Sequence, residues 1–416
     1  FRDVFNRPNN CNGFDIVIGN PPYLESRSPN FSEKLKTDLQ NNISLFHTKT
    51  DAKCFPRGSD LLVFFYELSL RLMNKKGINT FITENSWLST DYGKAFQAYL
   101  LNNVYVQGII DSDFKYFESA DINTVITFFR NKETQEEVNF YHCFGDLSKI
   151  NCKTTGKPNQ EKDIQKTVFF CNDKMLKQYK WSFLFSSDKR LINLLEKMLK
   201  KEDIKTRAKI SVGQGLNVKK DSIRYNEKNA VPFFTSESGS ILRWRNSNIF
   251  VEKEVVLKTR KIPFLILPRG LGSHFCCYNE IEGFSSSFVE VYEEQKLTDS
   301  EKLNIWLFCN SSLLWALREF TGRCNLGGGM LKAEATDLKS LPLCFDFDKS
   351  KEIEELFADS DNQKFTSQIE RVIDSDFHKK IDKIVFDFFE LDSNANFVTE
   401  LLISRYNWRN KKSKTR

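Results

Sequence analysis

No apolar run in this 416-residue chain approaches the roughly 18 to 20 residues that a membrane-spanning helix requires. No membrane-spanning helix is expected, and no membrane partner. The residues from Phe1 onward do not have the pattern of a secretory signal, and none is expected. Histidine is scarce, at four residues, and none of the ten cysteines forms a C-x-x-C pair, which argues against a zinc site; no metal is expected. Without a secretion signal the cysteines read as reduced, mostly buried thiols of a cytoplasmic protein. Internal repeats are absent too. Nor does one sign of charge dominate: 61 Lys and Arg stand against 55 Asp and Glu, a net +6 that permits a nucleic-acid partner without requiring one.

What is present is an ordinary globular composition, 40% hydrophobic and 28% charged, in a chain long enough for two or three domains. The first 130 residues alternate between strand and helix patterns. Phe14 to Gly19 (FDIVIG) reads as a strand buried on both faces of a parallel sheet. Ser59 to Asn74 reads as a helix whose buried face is Leu61, Phe64, Phe65, Leu68 and Leu72, capped by Ser59 or Asp60 and ended by Gly77. Ile78 to Thr83 is a strand, Tyr92 to Leu101 a helix, and Val104 to Ile110 and Asn123 to Phe129 two more strands. Strands separated by helices predict a parallel α/β sheet. From Glu133 to Lys166 the pattern is a strand followed by a loop or linker, and Lys189 to Lys201 is an amphipathic helix that opens a new domain. Lys209 to Phe345 predicts short strands and a helix near Leu303 to Phe320; the tail from Lys349 is helical and charged, with a disordered basic end, KKSKTR.

The residues that carry chemistry are Asn20-Pro21-Pro22-Tyr23, directly after the FDIVIG strand. In a parallel sheet, ligands bind beyond the carboxyl ends of the strands. An exocyclic adenine amine is a poor nucleophile, because its lone pair is delocalised into the ring. The Asn20 side-chain oxygen and the Pro21 carbonyl can accept its two hydrogens and aim the lone pair at a methyl sulfonium. Two prolines lock φ and hold those acceptors in place beforehand. Tyr23 offers a flat face for a base lifted out of the duplex. The plainer alternative is a stiff turn after a strand. Asp15, the apolar strand before the motif and the pattern after it favour the functional reading.

This pattern resembles the amino-group DNA methyltransferases of the NPPY type, which modify adenine N6 in type II or IIG-like restriction-modification systems and carry their recognition domain last. Asp60-Leu61-Leu62-Val63-Phe64-Phe65 is similar to the helix that follows the motif, and Lys76-Gly77 with INTFIT to the next strand entry. Phe114 to Phe117 with Asn123 to Phe129 resembles the late motif, where an aromatic stacks on the flipped base; Phe117 is the positional match. Val212 to Asn217 and Asn325 to Pro342 resemble pieces of target-recognition domains. The resemblance implies S-adenosylmethionine as cofactor, yet its glycine-rich binding loop would precede NPPY, and only nineteen residues stand before Asn20. Val212 to Gly215 and Leu326 to Gly329 read as turns where backbone approaches a ligand or another chain. The cofactor-binding part is therefore expected outside this chain, on a separate subunit or a lost front.

The fold class is then α/β: a partial Rossmann-like methyltransferase sheet, a mixed strand-rich recognition domain and a helical C-terminal tail. Residues 1–150 are expected to be the target-binding half of the catalytic domain, 151–205 a linker and helical connection, 206–346 the DNA target-recognition domain and 347–416 the helical segment with its basic tail. Basic residues interleave with aromatics in the recognition part, and Arg243, Arg245, Lys258, Arg260, Arg269 and Arg323 are the candidates for double-stranded DNA, Arg318 beside them. For any single one a solvated face is the plainer reading; the cluster carries the argument. The expected function is site-specific adenine-N6 methylation of DNA. The alternatives are a DNA-binding specificity fragment without catalysis, or an NPPY-type methyltransferase of RNA or of protein glutamine. Cytosine-N4 methylation is disfavoured, since relatives of that kind carry Ser or Asp in place of Asn20.

Overall fold

In a computed structural model, Phe14–Gly19 (β1) pairs in parallel with Met73–Glu84 (β2), setting Gly19 opposite Phe81. The structure describes residues 2–7, 12–42, 58–112, 116–117, 123–131, 137–143, 146, 164–170, 174–186, 189–256, 260–270, 272, 274–322, 331–363, 369–391 and 396–414. The chain divides into two units, Phe1–Ser187 and Asp188–Arg416.

The first unit is built on a six-stranded sheet that continues with Val104–Ser112 (β3), Thr124–Asn131 (β4), Glu137–Cys143 (β5) and Ile164–Phe170 (β6), in the order β1-β2-β4-β3-β5-β6. It is mixed, not parallel as the alternation predicts. β4 inserts between β2 and β3 and runs antiparallel to both, and β6 runs antiparallel to β5. The reason is connection length: no helix pattern separates β3 from β4, and a short return gives an antiparallel neighbour. β6 was not anticipated, because the polar sequence before it hides a strand whose partner lies across a long connection.

Two further expectations change. β1 is an edge strand among the described residues, and Ile16 and Ile18 are 64% and 77% exposed rather than buried on both faces. An apolar edge of this kind invites another strand or chain. The helix after the motif is Leu61–Leu72, and its buried residues are Leu62, Val63, Phe64, Tyr66, Glu67, Ser69 and Leu70; of the expected face Phe64 is buried, while Phe65 and Leu68 are exposed. In LLVFFYELSLRL nearly every position is apolar, so periodicity does not choose the face. Tyr66 does: its hydroxyl lies 2.8 Å from Thr127 Oγ1 and 3.3 Å from Thr83 Oγ1, inside a nest of Phe81, Trp87, Phe96 and Phe129 rings. The helix also stops before Gly77, because Met73 already begins β2.

The Asp91–Asn103 helix is capped by Thr90, whose hydroxyl accepts from the Gly93 N–H. Gly93 packs onto the short turn Ser86–Leu88, and a Cβ there would lie 1.7 Å from the Trp87 carbonyl oxygen. Trp87 is fully buried, edge-on to Phe96 and to Trp181 from the helix Trp181–Ser186.

The second unit opens with the amphipathic helix Lys189–Lys201. Its strands are Ile210–Gln214 (β7), Ile223–Arg224 (β8), Ala230–Phe234 (β9), Arg243–Trp244 (β10), Phe250–Glu252 (β11), Pro263–Leu267 (β12), Cys277–Asn279 (β13), Phe284–Ser285 (β14) and Val289–Glu293 (β15). They form a five-stranded sheet, β10-β13-β12-β15-β7, and a four-stranded one, β14-β9-β11-β8. Where one helix near Leu303 to Phe320 is predicted there are two, Asp299–Cys309 and Ser312–Thr321. The break has a cause: Asn310 turns its side chain to the backbone of Cys276, and Ser311 caps the second helix. The helix Asn396–Lys414 takes in most of the basic end that the sequence suggests is disordered.

Gly93→Ala should destabilise the first unit by about 1–3 kcal/mol or more, since the obstructing atom is backbone. Thermal unfolding checks this, and a melting temperature equal to wild type would refute the packing described for this turn.

Candidate active site

Asn20 follows the last residue of β1 and is exposed, Pro21 is buried, Pro22 is exposed and Tyr23 is half-buried. The Pro22 carbonyl accepts the Leu24 N–H at 3.0 Å, closing a tight turn, and the Leu24 carbonyl accepts the Leu61 N–H at 3.1 Å. The tetrapeptide thus leaves the sheet edge and is tethered at once to the start of the Leu61–Leu72 helix. Asp15, earlier on the strand, is bound by Arg7 at 2.8 Å and by Asn74 at 2.6 Å; these contacts, Arg7 first, hold its carboxyl below its ordinary range.

Phe117 faces Tyr23, with ring centroids 5.8 Å apart at 78°. The motif and the aromatic chosen from the late segment therefore meet, though 94 positions separate residues 23 and 117 in the chain. The Tyr23 hydroxyl is buried and has no hydrogen-bond partner among the described residues. Burial raises its phenol above the usual range, and the Glu84 carboxylate at the end of β2 adds to this.

Sequence reasoning did not assign Asp60, Ser86 and Tyr92 to the site. The sequence offers Ser59 or Asp60 as the helix cap; Asp60 holds the N-cap position, yet its side chain makes no capping bond. It accepts the Ser26 N–H at 2.8 Å, the Tyr92 hydroxyl at 2.6 Å and the Ser86 hydroxyl at 3.4 Å. Burial raises the Asp60 carboxyl, and it lifts the Tyr92 phenol as well, with Asp60 contributing. The only signal in the sequence was an acidic residue beside a helix start, which has a commoner explanation.

Residues 1–117 match the Eco57I restriction-modification methylase family. The Eco57I-type segment contains the whole constellation, from Asn20 through Asp60 and Tyr92 to Phe117. Among relatives, the type II methyltransferase M.AccI of Acinetobacter calcoaceticus is 28% identical over 153 residues, 36% of this chain and 26% of that protein. The type II restriction enzyme and methyltransferase RM.Eco57I of Escherichia coli is 25% identical over 129 residues, 31% of this chain and 12% of that one. The chain thus spans about a quarter or less of these relatives. A solved structure of the type IIL restriction-modification enzyme MmeI in complex with DNA is similar in fold over 95% of this chain and 57% of its own, with a TM-score of 0.52 and 13% identity.

Among the described residues of the second unit, Arg243, Arg245, Arg260 and Arg269 lie in ion pairs. The Arg243 side chain is 9% exposed, binds Glu280 at 2.6 Å and stacks over Phe357 at 4.1 Å. Arg245 is 46% exposed and paired with Glu280 and Asp361. Arg260 donates to the Glu290 carboxylate at 2.7 Å and to the Gln214 carbonyl at 2.7 Å. Arg269 makes a two-pronged pair with Glu334, at 2.6 and 2.9 Å. Arg318 is a core residue, donating to His274 Nδ1 and the Pro268 carbonyl, and burial pulls its guanidinium down to about 10. Lys258 and Arg323 lie outside the described residues, as do Leu326 to Gly329. Val212 to Gln214, expected as a turn, is part of β7; Gly215 just beyond it leaves only 2.5 Å between a built Cβ and Ser285 Oγ. The close approach is to this chain's own β14.

Tyr23→Phe should leave stability within about 1 kcal/mol of wild type, because the hydroxyl it removes has no partner, whereas Tyr66→Phe loses a bonded hydroxyl and should cost about 1 kcal/mol or more. Denaturant titration of both variants compares them; equal losses would contradict this reading of Tyr23.

Proposed function

We propose that this chain is the target-base and DNA-recognition part of a restriction-modification methyltransferase that methylates adenine N6 in double-stranded DNA. The observation that carries the reading is Asn20-Pro21-Pro22-Tyr23 at the carboxyl end of a strand, with the Tyr23 ring set against Phe117. The match of residues 1–117 to restriction-modification methylases supports it, as does the fold similarity to a restriction-modification enzyme in complex with DNA.

In this reading the target adenine leaves the duplex and enters beside Tyr23 and Phe117, whose faces replace the stacking it gave up. The Asn20 side-chain oxygen and the Pro21 carbonyl accept the two amine hydrogens. That removes the amine lone pair from conjugation and directs it outward, and the fixed prolines mean no reorganisation is needed as charge develops. S-adenosylmethionine supplies the methyl group when bound. In this reading the described residues supply the acceptor side; Val212 to Gln214 belongs to β7 and Gly215 packs on Ser285. The motif order of the resembled family implies that the donor site lies on further polypeptide of the same enzyme or on a separate subunit.

Asn20→Ala in the complete enzyme should lower the methylation rate by roughly 100-fold or more, with duplex affinity little changed. Methyl incorporation into a duplex with one target adenine, followed by nucleoside analysis, reads both rate and position. A wild-type rate at saturating cofactor would leave a specificity fragment without catalysis as the better reading.

DNA contact is assigned to the second unit, with Lys258 and Arg323 retained as candidates. Arg245 is the most available of the described candidates, while Arg243 and Arg260 hold strands together. Arg245→Ala should reduce the slope of log affinity against log salt by about 1. Arg243→Ala should instead lower the melting temperature. A duplex-binding salt titration and a melt on each variant separate the two roles, and an unchanged slope in Arg245→Ala would remove it from the interface.

A further inference from the structure

We propose that Asp60 is a positioning residue for methyl transfer, its carboxylate holding the chain after Tyr23 and the turn Ser86–Leu88 in one fixed arrangement. The proposal rests on the methyltransferase reading above and adds to it a residue that touches neither base nor cofactor.

Asp60 stands at the N-cap position of the Leu61–Leu72 helix with the extended backbone of a capping residue, φ −75° and ψ 159°, but its side chain turns away from the helix. Oδ1 accepts the Ser26 N–H, three residues beyond Tyr23. Oδ2 accepts the Tyr92 hydroxyl and the more distant Ser86 hydroxyl, and these two hydroxyls lie 3.1 Å from each other. All three donors are neutral, and among the described residues no cation pairs with Asp60, which is 7% exposed. A buried carboxylate without a counter-charge is a poor source of stability, since desolvation opposes the gain from its hydrogen bonds. What this arrangement supplies is orientation.

Its reach covers both sides of the base site. On one side the segment Pro22 to Ser26 is held at each end, by the Leu24 N–H on the Pro22 carbonyl and by the Ser26 N–H on Asp60, with Leu61 gripping the Leu24 carbonyl between them. The Pro21 carbonyl and the Tyr23 ring therefore cannot swing as a free loop. On the other side Ser86 begins the turn whose preceding residue, Asn85, donates its N–H to the Asn123 carbonyl at 2.9 Å. Asn123 closes the connection between β3 and β4 on which Phe117 is carried. One carboxylate thus links the Tyr23 side to the Phe117 side through three hydrogen bonds and one backbone contact.

The test uses the complete enzyme with Asp60→Ala, Asp60→Asn and Tyr92→Phe. Asp60→Ala should lower kcat about 10- to 100-fold, the scale of a misplacement near 1 Å, with KM for duplex and duplex affinity within about 2-fold of wild type. Asparagine keeps an oxygen for the Ser26 N–H and should recover most of that loss. Tyr92→Phe keeps the ring and removes one donor; it should lower kcat about 3- to 10-fold when assayed well below its melting temperature, which falls because a buried hydrogen bond is lost, so a poorly folding alanine variant does not end the test. Wild-type kcat in Asp60→Ala or Tyr92→Phe, no recovery in Asp60→Asn, or duplex affinity lost in step with kcat would each overturn the proposal. Amide exchange at Ser26 reads the tether separately: faster exchange in Asp60→Ala upholds it and unchanged exchange overturns it. Loss of the methyltransferase reading shows instead as an Asn20→Ala enzyme with full activity, so the two failures are distinct.

Discussion

Backbone pairing between β1 and β2 sets Gly19 opposite Phe81, and the point at which Asn20 leaves the sheet follows from that register. A strand reverses the facing of its side chains with each residue, so a slip of one place would turn Asn20 and Tyr23 away from the site. The pairing is also lopsided. β1 has a partner on one side only among the described residues, and its aliphatic side chains face solvent. The motif therefore gains its rigidity less from its own strand than from what it is tied to next: the start of the Leu61–Leu72 helix and, through Tyr23, the aromatic ring of Phe117.

Beneath this lies an aromatic core centred on Tyr66. Its ring touches Phe81, Trp87, Phe96 and Phe129, and its hydroxyl is shared with threonines on β2 and β4. A buried phenol with satisfied bonds joins apolar packing to directional contacts, so the helix has one seating on the sheet rather than several. The same logic recurs in the second unit. Glu290 is fully buried and accepts from Arg260, Ser285 and Tyr292, linking β15 to β14 and to the chain before β12. Arg260, a candidate phosphate ligand in the sequence, is here the counter-charge of a buried carboxylate.

Much of the first unit was legible. The strand before Asn20, the helix after it and the strands around Val104 and Thr124 all appear, because each carries its own local period or cap. Phe117, chosen by its resemblance to the family's late motif and not by any period, lies against Tyr23. What was not legible has physical causes. The buried face of LLVFFYELSLRL is chosen by Tyr66 and its threonines, which lie 17 and 61 residues away in sequence. The antiparallel insertion of β4 depends on what its neighbours leave open. Asp60 has the sequence signature of a cap, and only the folded chain shows its carboxylate turned to Ser26 and Tyr92.

Sequence alone determined the chemistry on offer: two acceptors stiffened by two prolines, an aromatic beside them, and a strand to display them. Those properties are short-range, written into adjacent residue types and the fixed φ of proline. Tertiary structure alone decided which charges are free and which are already paired. An arginine's availability depends on the carboxylate that reaches it, and for Arg243, Arg260 and Arg269 that partner lies 37, 30 and 65 residues away. Local sequence holds no record of such distances, because ion pairs form between surfaces that only folding brings together.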